Sequence, residues 1–324
     1  MVAKHLNKLR WLSLTTVFLL LVFIPFASIY QNYQAAHGYD LLNSSEKFLF
    51  DVMQLLTDPL VTDASELDAL KGTTWSANIF NWKVSDPLAI VSQLATTKNP
   101  NLPFILTALV PVVISVLLGR VFCGWVCPAS FLYELNTNLA LLVNKLGVPV
   151  HRWHLDRRFK YYILVGCLLL ALLFSVNVLA AIYPPLIVGR EIYYAIALDG
   201  FSSTAIFFLI TMVFDTLISR RGFCRYLCPG GALYSLLGRY RLLRIQRNVH
   251  TCNDCNRCNS ICEFELHPMQ DEFGQECNNC TACVSICPTD ALYLTIKSSD
   301  GNRQGPGHQG RQFRSTPLIA SDCL

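Results

Sequence analysis

The chain has 324 residues, 52% of them hydrophobic and only 15% charged, with a mean hydropathy of +0.37. Those values lie outside the usual range of a soluble globular domain and point to the membrane class. The formal net charge of +4 gathers in particular loops rather than along one face, so it is no nucleic-acid footprint and no nucleic-acid partner is expected.

Four segments, at about 11–30, 102–119, 161–183 and 201–219, are apolar and long enough to cross a bilayer. The first three contain no Asp, Glu, Lys or Arg and the fourth contains only Asp215, whereas a soluble surface helix would carry a polar face. The first span reads as an uncleaved anchor, although Gln34-Ala35-Ala36 has a faintly cleavage-like composition. Residues 31–100 then form an outward-facing segment with aromatics at Trp75, Phe80 and Trp82 and helical runs near 46–56 and 87–94. It is expected to be an interfacial cap; a docking surface for an extracytoplasmic redox partner is the sharper reading.

At the inner end of the second span Arg120, Phe122, Cys123, Cys127 and Pro128 form a Cys-x3-Cys-Pro motif. The same motif follows the fourth span, 101 residues on, at Arg221, Phe223, Cys224, Cys228 and Pro229, with Leu132/Leu233 and Tyr133/Tyr234 also matching. The chain therefore contains an internal repeat, each half a helix pair ending in the motif and then a short cytoplasmic helix. Cysteines four apart share a face if the turn is helical, so two equivalent helix ends can gather Cys123, Cys127, Cys224 and Cys228 as an additional metal site. A redox-active thiol pair at each end, and plain buried thiols, are the competing readings. Cys167 and Cys323 are read as ordinary thiols.

Between the third and fourth spans, Tyr183 to Glu191 is expected to be a short outward loop. Pro184 and Pro185 would end the preceding helix, with Arg190 and Glu191 as a solvated ion pair. Asp215 is a candidate proton acceptor from quinol, the one catalytic candidate, because an ionisable group inside a membrane is a functional candidate by default. Pairing with Arg220 or Arg221 is the structural alternative. Basic residues crowd the stretch before span one, the loop between spans two and three, and the stretch after span four, while 31–100 carries eight acids. By the positive-inside rule both termini lie in the cytoplasm. The run 239–247 is expected to lie along anionic headgroups.

Cys252, Cys255, Cys258 and Cys262 follow C-x2-C-x2-C-x3-C, and Cys277, Cys280, Cys283 and Cys287 repeat it, with Pro288 closing the second copy. This is the spacing of bacterial two-cluster ferredoxins, in which the fourth cysteine of each run serves the other cluster. One [4Fe–4S] cluster is thus assigned Cys252, Cys255, Cys258 and Cys287, the other Cys277, Cys280, Cys283 and Cys262. Zinc knuckles offer two pairs of ligands rather than two matched runs of four, and a reducing cytoplasm disfavours disulfides. Glu263 stands where the second run has its proline.

The expected fold is a mainly α membrane protein of four transmembrane helices in two repeated pairs (1–250), a small cytoplasmic α+β two-cluster ferredoxin-like domain (251–297) and a disordered tail (298–324). No haem, dinucleotide or Walker motif is present, so the chain reads as an electron conduit whose diffusible substrate is the membrane quinol pool. With its paired Phe-Cys-x3-Cys-Pro motifs, the run from Pro229 to Tyr234 and the late cysteine runs, the sequence resembles the NapH family, ferredoxin-type membrane subunits of periplasmic nitrate reductase systems related to the NosR membrane region. That resemblance implies a quinol dehydrogenase component in the bacterial inner membrane. It would feed a periplasmic NapG-type iron–sulfur protein and, through it, a periplasmic reductase. The alternative is a membrane-bound factor for assembly or maturation of a respiratory metalloenzyme, as in the related CcoG proteins.

Overall fold

The computed structural model describes residues 2–35, 47–48, 51–52, 77–79, 82–98, 102–145, 155–197, 200–217 and 219–296. Most of the helical run expected near 46–56, Trp75 and Phe80, and the tail with Cys323 lie outside the described residues.

The chain is mostly helical. Helix α1 (Val2–Ala35) contains the one described helix long and apolar enough to cross a membrane, His5–Phe23. The other three predicted spans are helical but shorter, at Leu102–Leu118, Phe159–Phe174 and Ser203–Leu217. Sixteen residues rise only about 24 Å, against a hydrocarbon core of about 30 Å. Leu106, Leu173, Phe174, Ile206, Leu209 and Ile210 on these helices are each more than half exposed, which leaves an apolar outer belt.

A hairpin of β1 (Ala77–Ile79) and β2 (Trp82–Val84) leads into α2 (Pro87–Thr97), which Asp86 caps by accepting from the Leu88 N–H at 2.8 Å. The second predicted span breaks into α3 (Leu102–Leu106) and α4 (Leu109–Leu118). Pro111 has no N–H for the carbonyl of Thr107, and the Ser85 N–H takes that carbonyl instead, at 3.1 Å. One proline thus opens a docking point for the segment before α2.

After the turn α5 (Val121–Trp125), α6 (Pro128–Lys145) runs for 18 residues. It packs against α1 and the fourth-span helix, so it belongs to the bundle and is not the short cytoplasmic helix expected. Next come α7 (Phe159–Phe174), α8 (Leu179–Ile182), α9 (Pro184–Ala197) and α10 (Ser203–Leu217). The outward loop expected at Tyr183–Glu191 is helical instead, because proline with its fixed φ initiates a helix as readily as it ends one. Glu191 is not solvated: it accepts from Ser202 N at 2.8 Å and Thr204 Oγ1 at 2.6 Å, at the start of α10.

The repeat is longer than its cysteine motifs. In each half a helix headed by proline (α2, α9) precedes a second helical stretch (α3–α4, α10), and the cysteine turn follows. The second turn is π-helical, Phe223–Leu227, and leads into α11 (Pro229–Leu237). The ferredoxin-like unit begins at β3 (Leu243–Arg247), which pairs antiparallel with β4 (Leu292–Ile296), placing Ile245 opposite Leu294. Between them α12 (Arg257–Ile261) and α13 (Ala282–Ile286) pack on each other.

Candidate functional site

The two late cysteine runs wrap in the same way. The residues on either side of the middle cysteine, Asp254 and Asn256 in one run and Asn279 and Thr281 in the other, all adopt positive φ between 52° and 61°. That turn brings the flanking cysteines round a common point. Cys252, Cys255 and Cys258 line one pocket together with the remote Cys287, walled by Arg247, Met269 and Leu292. Cys287 accepts from the Ala291 N–H at 3.3 Å. In the second group, burial and the neighbouring Cys280, Cys277 and Cys262 hold the Cys283 thiol well above its ordinary pKa. Among the described residues no three thiol, imidazole or carboxylate groups converge tightly enough for one metal ion. A cube takes each thiolate on a different iron, whereas zinc needs all its ligands about 2.0–2.3 Å from one centre, so the donor set suits iron–sulfur clusters.

The second run is embedded in the helical domain. Glu276, beside Cys277, accepts from Arg120 at 2.7 Å and from Lys160, and Tyr161 reaches it at 3.2 Å. Burial alone raises the Glu276 pKa, but Arg120 and then Lys160 outweigh it and hold the carboxyl below the usual range. Glu263, beside Cys262, pairs with Arg221 at 2.7 Å, and Arg221 also reaches Glu134 at 3.1 Å, which Arg10 shares. Arg225 pairs with Glu265 at 2.7 Å, and Arg157 donates to the carbonyls of Phe264 and Glu265. Trp125 Nε1 donates to Asn279 O at 3.1 Å, and Arg241 donates to Cys277 O and Gly274 O.

The arginines read as marks of topology are therefore largely the socket of the ferredoxin-like unit. Arg241 and Arg247 do not face headgroups: Arg241 is buried, and Arg247 pairs with Asp254 and Asp271. The missing proline at 263 is explained as well, since a glutamate there makes a docking ion pair. The loop comes so close that a Cβ on Gly124 would lie 2.7 Å from Asn278 O. Gly124→Ala is expected to destabilise the docked state by about 1–3 kcal/mol, as overpacking does, measured as a lower melting temperature in detergent.

Comparison with known proteins follows the same division of the chain. The model of the 4Fe-4S binding domain family matches residues 100–149 and again 202–249, the two halves of the internal repeat. The chain is 32% identical to the ferredoxin-type protein NapH of Haemophilus influenzae over 58% of its length and 66% of that protein, and 30% identical to the methylamine utilization ferredoxin-type protein MauN of Methylorubrum extorquens over 55% and 60%. NapH of Escherichia coli is 29% identical over 55% of the chain and 60% of its own length. The alignments thus span about three-fifths of these relatives. The chain is similar over about half its length to the NapH and MauN ferredoxin-type proteins. No solved structure matches.

The two family matches take in the cysteine turns within the helices. Cys123, Cys127, Cys224 and Cys228 line a single pocket with Arg120, Arg221, Tyr183, Pro184, Pro185, Gly230 and Gly231 among its walls. Burial pushes all four thiols above the ordinary cysteine pKa, Cys228 to about 11. Burial of this kind favours the protonated thiol unless a metal takes its place. Asp86 enters from the supposed outward cap, accepting from Tyr183 at 2.7 Å and Tyr234 at 3.3 Å. Farther along α2, Ser92 donates to Asn177 beyond the far end of α7. The α2 segment therefore dips into the bundle instead of lying on it.

Asp215 is buried and accepts from the Phe223 N–H at 2.9 Å, while its Oδ2 has no hydrogen-bond partner. It braces the second cysteine turn, and no ion pair to Arg220 or Arg221 forms. Cys167 is buried in the helical core. Sequence reasoning gave Asp86, Glu263 and Glu276 no role in the site; the local signals were the glutamate in place of a proline at 263 and the Asp86-Pro87 pair, a cap followed by a helix-initiating proline.

Proposed function

We propose that this protein is a membrane-embedded iron–sulfur subunit that takes electrons from quinol and passes them, through a partner iron–sulfur protein of the NapG kind, toward a periplasmic reductase, by analogy nitrate reductase. On this reading it crosses the bacterial inner membrane several times, with both termini and the ferredoxin-like unit on the cytoplasmic side.

The observation that carries the proposal is the embedding of the Cys277–Cys283 loop in the helical domain. Cys277 and Cys283 are buried and Cys280 is partly exposed, while Cys252, Cys255 and Cys258 on the other run are all partly exposed. One group of thiols thus faces the helices and the other faces away, the layout of a carrier with an input side and an output side. When bound, the clusters supply one-electron transfer. The chain's own residues supply the rest: the cysteines hold the iron, and Arg120, Arg221 and Arg241 fix the inner loop with charge that favours an anionic centre. The outer helix faces offer apolar surface to lipid and to a lipid-soluble donor.

The test is anaerobic: purified protein is mixed with a short-chain quinol and followed by EPR. Appearance of reduced-cluster signals is expected. Clusters reducible by dithionite but never by quinol would overturn the electron-transfer reading and favour the assembly factor.

A further inference from the structure

We infer that Cys123, Cys127, Cys224 and Cys228 together hold a third iron–sulfur cluster, set between the ferredoxin-like unit and the interior of the helical domain. The inference rests on reading the chain as an iron–sulfur carrier, but not on quinol as its donor.

Four features of the pocket carry it. First, the repeat supplies ligands in equal pairs: residues 101 positions apart come together round one pocket, although nothing local in either turn requires them to meet. Second, the surroundings favour an anion, which any cluster held by four thiolates is. Arg120 and Arg221 both line the pocket, and Arg120 shares the carboxylate of Glu276 with Lys160. Arg120 Nε, in the same wall, has no hydrogen-bond partner among the described residues.

Third, two proline-headed helices begin here. Pro184 and Pro185 of α9 line the pocket, and Asp86, the cap of α2, is bonded to Tyr183 and Tyr234 in its wall. The 14-residue helix α9 thus starts at the pocket with its positive end, while the end of α2 is neutralised by its own cap, Asp86. Fourth, the wall is built to close tolerance around the thiols. A Cβ on Gly230 would lie 2.3 Å from the Tyr183 ring, and one on Gly231 would lie 3.1 Å from both Arg120 Nη2 and Cys224 O. The Gly-Gly pair lets α11 start directly against this wall without pushing Arg120 or Tyr183 into the pocket.

The same two arginines reach the neighbouring centre. Arg120 pairs with the glutamate beside Cys277, and Arg221 with the glutamate beside Cys262, both ligands assigned to the inner ferredoxin-type cluster. Cys224 also packs against the core of the ferredoxin-like unit. Arg120 and Arg221 are therefore positioning residues that register two cluster sites against each other.

The test is iron and acid-labile sulfide per chain in full-length protein purified without air, with EPR spin quantitation. Two cubes account for about eight irons; the third site raises this to about ten for a two-iron centre or about twelve for a four-iron centre. Cys123→Ser combined with Cys224→Ser is expected to return the count to about eight with both ferredoxin-type signals retained. A wild-type count of eight, or a double variant that keeps the excess iron, would overturn the inference. If the double variant loses all iron, the wild-type count and spin total decide alone. A full third complement with no reduction by quinol would remove the quinol reading and leave this site standing.

Discussion

Replacing Glu276 with alanine is expected to release the ferredoxin-like unit from the helices, at a cost of about 3–5 kcal/mol, because it strands two buried cations. Arg120 and Lys160 are 1% and 0% exposed and converge on this carboxylate. The loss would appear as a lower unfolding midpoint in detergent and as protease sensitivity in the stretch between Tyr240 and Leu243. Glu276→Gln keeps the shape but not the charge and should do nearly as much harm. Adding Lys160→Met to it removes one of the stranded cations and should restore part of the stability, a coupling readable from the double-mutant cycle. An additive cycle would mean that the ion pair does not hold the docked state.

The second large effect separates the two late cysteine groups. Cys280→Ser should abolish one cube's EPR signal and, because that loop is the one seated in the helices, should also stop quinol from reducing the remaining cube, although dithionite still reduces it. Cys255→Ser lies in the outward-facing pocket and should likewise remove one cube, but leave the other reducible by quinol. Equal behaviour of the two variants would show that the embedded loop is not the input side. Loss of neither signal would overturn the ligand assignment itself.

How much was legible in advance depended on the range of the interaction. The late cysteine runs could be read because a chelating turn is local: three cysteines at a spacing of three wrap one cube wherever the loop lies. The apolar runs were equally legible as helices, but their lengths as membrane spans were not. Pro111 splits one, and another stops at Phe174, where Ser175 takes a left-handed backbone conformation. The arginines were visible and were read as topological markers, because charge in sequence does not say which carboxylate it will meet. Glu263 was noticed only as a departure from the motif. Tyr183 to Glu191 was misread because a proline pair looks alike at the end of one helix and the start of the next.

The amino-acid sequence by itself determined the hydrophobic character of the chain, its internal repeat and the eight cysteines spaced as cube ligands, since composition and short-range spacing act within a few residues. Only the tertiary structure decided that the four cysteines of the repeat face one pocket, that Asp86 returns from a distant segment to its wall, and that buried arginines seat the ferredoxin-like unit. The polar contacts among them join residues from 36 positions apart, at Arg241 and Cys277, to 156, at Arg120 and Glu276, because a buried charge has to find its partner somewhere in the folded chain.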